Sequence, residues 1–135
     1  MDGVVLTPLK TIFNAKGFIY HAMKKSDDEF HGFGEAYFST IEKDCIKGWK
    51  KHTKMTLNLI VIYGEIQFVI FCKKTNFFFS VKLSRKNYQR LTIRPGLWVA
   101  FKGLSKDNIL LNLASTEHDP HEVESIALES IEYKW

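Results

Sequence analysis

Two short apolar runs near the middle of the chain constrain its fold more than any other feature. They lie within Thr56–Tyr63 and Ile66–Phe71, are rich in β-branched and aromatic residues, and are separated by Gly64 and Glu65. Runs of this length and composition are typical of buried strands and are too short for ordinary helices. We therefore predict that both form central strands, with a hairpin or a bulged turn at Gly64.

Further short β-like segments follow one another along the chain at nearly regular spacing. Turn signals such as Asn14–Gly17 and Arg94–Gly96 separate them. Only Glu122–Leu128, in an acidic tail, is expected to form one or two helical turns. The pattern predicts an all-β fold, an antiparallel sandwich or barrel, with residues 1–135 as a single domain. The other predicted strands are Gly3–Leu6, Phe18–Met23, Gly34–Ile41, Phe77–Leu83, Gln89–Ile93, Leu97–Phe101 and Asp107–Ala114.

Charge and cysteine content narrow the classes of partner. The formal net charge is +4, and the basic residues are spread along the chain, which favours solubility or an anionic ligand over nucleic acid. Cys45 and Cys72 have no CxxC spacing and are expected to be reduced thiols in a cytoplasmic protein. The first ten residues lack the pattern of a signal peptide, and no apolar run approaches the roughly 20 residues of a membrane span. We therefore expect neither a nucleic-acid nor a membrane partner.

A basic segment immediately before the first apolar run carries the candidate chemistry. His52 is either a surface histidine or a general acid or base, because histidine titrates near neutral pH. Lys50 lies two residues earlier, so strand alternation sends both side chains to one face and Lys51 to the other. With Lys47 and Lys54 nearby, the local field favours a phosphate.

The chain also carries two candidate aromatic binding residues and several possible metal ligands. Trp49 and Trp98 each border a polar turn and are either core aromatics or stacking groups for a nucleotide base or sugar ring. A zinc or iron site needs three or four converging ligands, and His52 has no histidine two positions away. The segment His118–Glu122 reads more simply as a loop or the beginning of a helix. We predict no metal site and no cofactor.

A series of motifs occurs in a fixed order and spans nearly the whole chain. The motifs are Asn14–Phe18 (NAKGF), Gly34–Ser39 (GEAYFS), Ile46–His52 (IKGWKKH), Tyr63–Ile66 (YGEI), Leu83–Asn87, Leu91–Phe101 (LTIRPGLWVAF), Leu111–Ala114 and His118–Glu122. With these motifs in this order the chain resembles the nucleotide-sugar epimerases of the dTDP-4-dehydrorhamnose 3,5-epimerase family, particularly their short relatives, and the related sugar 3,4-ketoisomerases. The resemblance implies a cupin-type jelly roll, usually a homodimer, that holds a nucleotide-diphosphate sugar inside the barrel.

The chain departs from the family pattern at the positions that carry the chemistry. The first histidine of the family's "G-x-H" motif, the expected base, is Lys50 here, and the second histidine position is kept as His52. The histidine of the "P-G-x-x-H" turn is Val99, and the proton-donating tyrosine falls at Asn112. The aspartate that pairs with the base in longer family members belongs to a segment beyond Trp135. The resemblance therefore supports the family's fold and ligand class for this chain better than it supports epimerase activity.

The resemblance and the residues together assign roles. We predict His52 as the catalytic base and Lys50 as the cation that stabilises an enolate or a phosphate, because a lysine amine with its ordinary pKa of about 10.4 is protonated near neutral pH. The predicted substrate contacts are Lys47 (to phosphate), Trp49, Trp98, Asn112 and Glu35.

Three functions remain open at this stage. The first is an epimerase or ketoisomerase that removes a proton beside the ketone of a dTDP- or other nucleotide-linked 4-keto sugar in cell-surface polysaccharide biosynthesis. The second is a non-catalytic nucleotide-sugar-binding module or a partner subunit of a biosynthetic enzyme. The third is an interaction protein that uses only the barrel. Retention of His52 favours the first, and loss of the other catalytic positions favours the second.

Overall fold

The computed structural model describes all 135 residues, and β-strands dominate it. A single turn of 3-10 helix, Leu128–Ser130, is the only helical element, and no helix has the length or apolar character needed to span a membrane. The strands in chain order are β1 (Val4–Pro8), β2 (Thr11–Ile12), β3 (Ile19–Tyr20), β4 (Glu35–Thr40), β5 (Ile46–His52), β6 (Leu57–Tyr63), β7 (Glu65–Cys72), β8 (Phe77–Ser84), β9 (Gln89–Ile93), β10 (Trp98–Gly103), β11 (Ile109–Ala114) and β12 (Val123–Ser125).

The strands form two five-stranded sheets that face each other. The front sheet has the strand order β1-β9-β6-β11-β4, and the back sheet has the order β12-β5-β10-β7-β8. Neighbouring strands within both sheets are antiparallel, and β2 and β3 form a separate small hairpin. The predicted all-β antiparallel sandwich is therefore confirmed.

The main core lies between the inner faces of the two sheets. Strand alternation directs Leu57, Leu59 and Val61 of β6 and Phe68 and Ile70 of β7 into one cluster of 15 buried apolar residues. Both strands are also buried on their outer faces, so their sequences read as nearly continuous apolar runs rather than as alternating ones.

A second, smaller cluster covers the outer face of the back sheet. Trp49, Phe71 and Trp98 are buried there beneath a C-terminal segment, which we define as residues 126–135. Its aromatic side chains pack on the sheet: the ring centroids of Trp49 and Trp135 are 6.1 Å apart, and those of Phe78 and Tyr133 are 5.1 Å apart. The back sheet is thus covered on both faces.

The turn after β6 differs from the prediction. β6 and β7 are not a hairpin, because β6 lies at the centre of the front sheet and β7 lies in the back sheet. Gly64 carries the chain from one sheet to the other with a φ of 75°. A Cβ atom at this position would lie 2.2 Å from the carbonyl oxygen of Asp107, so the close approach requires glycine.

Two further segments differ from the prediction. Glu122–Leu128 does not form the predicted helical turns: only Leu128 belongs to the 3-10 turn. Val123–Ser125 instead pairs with β5 as the edge strand of the back sheet, so tertiary pairing overrides local helix preference. The strand predicted over Phe18–Met23 is limited to Ile19–Tyr20, since only these residues pair with β2. By contrast, Gln89–Ile93 is a strand with the predicted bounds.

Candidate functional site

A cavity of about 460 Å³ opens between the two sheets. The back sheet contributes β5 and β10 to its wall, and the front sheet contributes β4, β6 and β11. No carboxylate lines it, whereas two lysines and one histidine do, so the cavity favours an anionic ligand. The lining residues are Tyr37, Ser39, Ile46, Lys47, Gly48, Lys50, His52, Leu57, Leu59, Val99, Phe101, Leu110 and Asn112.

β5 supplies the cationic wall of the cavity. Lys50 and His52 lie two residues apart and face the same side, as strand alternation predicts. Lys51 faces away, where its Nζ lies 3.1 Å from the Glu124 carboxylate and 4.9 Å from the centroid of the Trp98 ring. Lys47 also lines the cavity, and its Nζ donates a hydrogen bond of 2.6 Å to the carbonyl oxygen of Thr40.

His52 is held by a buried carboxylate that the sequence did not reveal as its partner. Glu122, only 4% exposed, contacts the Nδ1 atom of His52 through its Oε1 atom in a short hydrogen bond. Its Oε2 atom accepts hydrogen bonds from the backbone N–H groups of Thr53, Lys54 and Met55 at 3.1, 3.0 and 3.2 Å. The Glu122 carboxylate therefore bonds both the last residue of β5 and the loop that follows it.

These contacts set the charge of Glu122 and the tautomer of His52. Burial alone raises the pKa of Glu122, but hydrogen bonds from His52 and from the backbone of Lys54 and Met55 outweigh it and bring the pKa below its usual value of 4.5. An ionised carboxylate can only accept hydrogen bonds, so Nδ1 of His52 must be the donor. The Nε2 atom is then the ring nitrogen of neutral His52 that can accept a proton.

The front sheet contributes a second proton-carrying group, Tyr37 of β4. Its Oη accepts a hydrogen bond of 3.0 Å from the Nδ2 atom of Asn112 on the neighbouring strand β11. Asn112 is oriented in turn, because its Oδ1 atom accepts a hydrogen bond of 3.3 Å from the backbone N–H of Asn58. With the phenol oxygen serving as acceptor, the O–H of Tyr37 is available to donate into the cavity.

The structure brings together four of the predicted site residues. Lys47, Lys50, His52 and Asn112 all line the cavity. It does not bring Trp49, Trp98 or Glu35 to it. The side chains of Trp49 and Trp98 lie on the opposite face of the back sheet, in the cluster under the C-terminal segment. Glu35 begins β4 opposite Ala114 and is not part of the cavity wall.

Sequence reasoning missed two residues of the site. Tyr37 was not among the predicted site residues, although its position two residues before Ser39 on a predicted strand places both side chains on one face. Glu122 was assigned to helical turns in an acidic tail, and no local signal connects it with a histidine 70 residues earlier. No group of three or more histidine, cysteine, aspartate or glutamate side chains is positioned to hold a metal ion.

No family model and no curated protein matches the chain, but solved structures do. A dTDP sugar isomerase from Desulfovibrio desulfuricans superposes with a TM-score of 0.91 and 27% identity, over 96% of this chain and 87% of the other. The chain has the fold of the dTDP-sugar isomerases and epimerases. The resemblance in sequence and the predicted cupin-type jelly roll are thereby confirmed.

Two further solved structures share this fold. The 3,4-ketoisomerase QdtA from Thermoanaerobacterium thermosaccharolyticum, in complex with TDP-4-keto-6-deoxyglucose, has a TM-score of 0.81 and 23% identity over 92% of this chain and 88% of its own. The 3,5-epimerase RmlC from Legionella pneumophila, in complex with dTDP-4-keto-L-rhamnose, has a TM-score of 0.82 and 19% identity over 95% of this chain and 74% of its own.

Proposed function

We propose that this protein is an isomerase or epimerase that acts on a nucleoside-diphosphate 4-keto sugar. One observation carries the proposal: a histidine paired with a buried, ionised carboxylate lies in a cation-lined cavity, in the fold shared with dTDP-sugar isomerases. The pair supplies a base with a fixed tautomer, and the cations suit both a diphosphate and a developing oxyanion.

The reaction begins with proton removal. Nε2 of His52 takes the proton from the carbon beside the ketone, and the electron pair of the broken C–H bond moves onto the carbonyl oxygen to give an enolate. The ammonium group of Lys50 stabilises that negative charge, and Glu122 stabilises the imidazolium ion that His52 has become. Lys47 is the assigned contact for the diphosphate.

The fate of the enolate decides between the two reactions. Return of a proton to the same carbon from the opposite side inverts that centre, which is epimerisation. Protonation of the former carbonyl carbon, with loss of the proton from the neighbouring hydroxyl, moves the ketone by one carbon. Tyr37 lies on the sheet opposite His52 and is the group assigned to deliver the second proton.

Deuterium exchange tests the proposal directly. TDP-4-keto-6-deoxyglucose, the ligand of the QdtA complex, is incubated with the protein in deuterium oxide and followed by proton NMR. We expect deuterium to enter at the carbon beside the ketone. Absence of exchange with this sugar and with other 4-keto nucleotide sugars would contradict an isomerase or epimerase.

A second candidate is a non-catalytic module that binds the same ligands. It is favoured by the paired residues Lys50 and Val99, which stand where the family pattern has histidines. Calorimetric binding of dTDP without any deuterium exchange would support this alternative. Exchange at a rate that falls when His52 is replaced would exclude it.

We also propose a cytoplasmic homodimer in which residues 1–135 act as one domain. The β2–β3 hairpin supports pairing, because Ile12, Phe13, Phe18 and Ile19 are all exposed there, between 38% and 74%. The two free cysteines support a reducing compartment. A monomer in sedimentation at micromolar concentration would contradict the assembly.

A further inference from the structure

The presence of both Lys47 and Lys50 in the cavity is not expected of a regular strand. Residues three apart on a strand face opposite sides of the sheet. The register between β5 and β10 shifts here: Val99 pairs with Lys50, and Phe101 pairs with Lys47. One residue therefore separates the partners on β10, whereas Gly48 and Trp49 separate them on β5. This is a β-bulge, which places Lys47 on the cavity side together with Lys50.

Trp49 is attached to the C-terminal segment by its backbone and by its side chain. Its N–H donates to the carbonyl oxygen of Ile126 at 3.3 Å, and its carbonyl oxygen accepts from the N–H of Ile126 at 3.1 Å. Its indole Nε1 donates to the carbonyl oxygen of Leu128 at 3.0 Å. The side chain is completely buried, so the bulge is fixed from the face opposite the cavity.

Gly48, the other bulge residue, is fixed by close packing. A Cβ atom at this position would lie 2.3 Å from the Cβ atom of Ala100, the residue of β10 opposite the bulge. The strand can therefore approach β10 here only without a side chain at position 48. Both residues between Lys47 and Lys50 thus have a structural reason for their identity.

We propose that Trp49 is a positioning residue: the C-terminal segment fixes Trp49, and Trp49 fixes the bulge that turns Lys47 into the cavity. The effect on ligand binding rests on the proposed function, in which Lys47 contacts the diphosphate. Glu122, which orients His52, lies four residues before this segment. Residues 122–135 therefore contact β5 both at its last residue, His52, and at its middle residue, Trp49.

A double-mutant cycle tests this role. Trp49→Phe keeps an aromatic ring but removes the N–H that bonds Leu128, and Lys47→Met removes the cation. We expect each single variant to bind dTDP roughly tenfold more weakly than wild type in calorimetry, and the double variant to bind no more weakly than Lys47→Met. A loss from Trp49→Phe of the same size in both backgrounds would overturn the proposal.

Trp98→Phe is the matched control. Trp98 is buried in the same cluster but pairs with Lys51, outside the bulge. We expect Trp98→Phe to lower the melting temperature while leaving the dTDP affinity within about twofold of wild type. An equal loss of affinity in both tryptophan variants would show a merely structural role. If Trp49→Phe does not fold, Gly48→Ala disturbs the same bulge and is expected to give the same loss.

Crystal structures of wild type and Trp49→Phe separate this inference from the proposed function. In the variant we expect Lys47 to lose its pairing with Phe101 and its hydrogen bond to Thr40. An unchanged Lys47 would overturn the inference whether or not the ligand binds. A wild-type protein that binds no dTDP would contradict the proposed function, and the position of Lys47 would still decide the role of Trp49.

Discussion

The two faces of β5 differ in almost every property. The cavity face presents Lys47, Lys50 and His52, whereas the opposite face presents Trp49 and Lys51 to the C-terminal segment and to Glu124. Seven consecutive residues therefore supply reactive groups on one side and anchoring contacts on the other. Substitutions on the cavity face are therefore expected to change the exchange rate directly. Substitutions on the opposite face are expected to change stability or, at Trp49, the position of Lys47.

Replacement of His52, the predicted base on the cavity face, should have the largest effect on the exchange rate. We expect His52→Ala to reduce deuterium exchange into a 4-keto nucleotide sugar by about 10²–10⁴-fold, because no other neutral base faces the cavity on β5. The variant should remain folded, since His52 belongs to neither of the two buried apolar clusters. If His52→Ala exchanges as fast as wild type while Lys50→Ala is inactive, the roles of the two residues are reversed.

Loss of the carboxylate behind the histidine should have the next largest effect. Glu122→Gln keeps the shape of the side chain but removes the charge that fixes the Nδ1–H tautomer and stabilises the imidazolium ion. We expect the exchange rate to fall roughly a hundredfold, less than for His52→Ala, with little change in dTDP affinity measured by calorimetry. A Glu122→Gln variant with the wild-type rate would show that the pair is only structural.

Two neighbouring lysines, Lys50 and Lys51, lie on opposite faces of β5 and test whether only the cavity face affects the rate. Lys50→Met removes the cation assigned to the enolate and should slow exchange by about tenfold to a hundredfold. Lys51→Met removes a partly exposed ion pair with Glu124 on the other face, which is worth about 0–1 kcal/mol, and should leave the rate unchanged. Equal effects of the two substitutions on rate would contradict the division between the faces.

The sequence predicted the fold and which way Lys50, Lys51 and His52 face, but it did not predict the contacts that β5 makes with its neighbours. Alternation correctly separated Lys50 and His52 from Lys51, because it depends only on local backbone geometry. It did not reveal the bulge that adds Lys47, since a register shift depends on the pairing with β10. Trp49 was predicted to contact the substrate because it borders a polar turn, yet its side chain packs against the C-terminal segment.

Long-range pairing explains the remaining errors. The glycine between two apolar runs is compatible with a hairpin, and only the sheet topology shows that Gly64 instead connects two sheets. Glu122 lies next to His52 because β12 pairs with β5, a contact that local preference in an acidic tail cannot indicate. Tyr37 and Asn112 likewise meet only through the pairing of β4 with β11.

The contacts of Glu122 also affect the stability of the protein in acid. The pKa of Glu122 in the folded protein lies below 4.5, its ordinary value, because the hydrogen bonds it accepts outweigh the effect of burial. Between these two values the unfolded state binds more protons than the folded state, so the free energy of unfolding falls as the pH falls. The stabilising contribution of Glu122 is therefore fully present above about pH 5 and is lost as the pH falls through the folded-state pKa.

Glu122→Gln removes this dependence and so provides the measurement. We expect wild type to be more stable than the variant by about 2 kcal/mol near neutral pH, with the difference shrinking in acid. The pKa of Asp27 is also lowered, by hydrogen bonds from the Lys24 backbone and from Arg90, but Asp27 is present in both proteins and cancels in the comparison. Urea unfolding at about pH 7 and at about pH 3.5 measures the difference. A gap between the two proteins that stays constant across this range would mean that Glu122 is not held ionised by its contacts with His52 and the following loop.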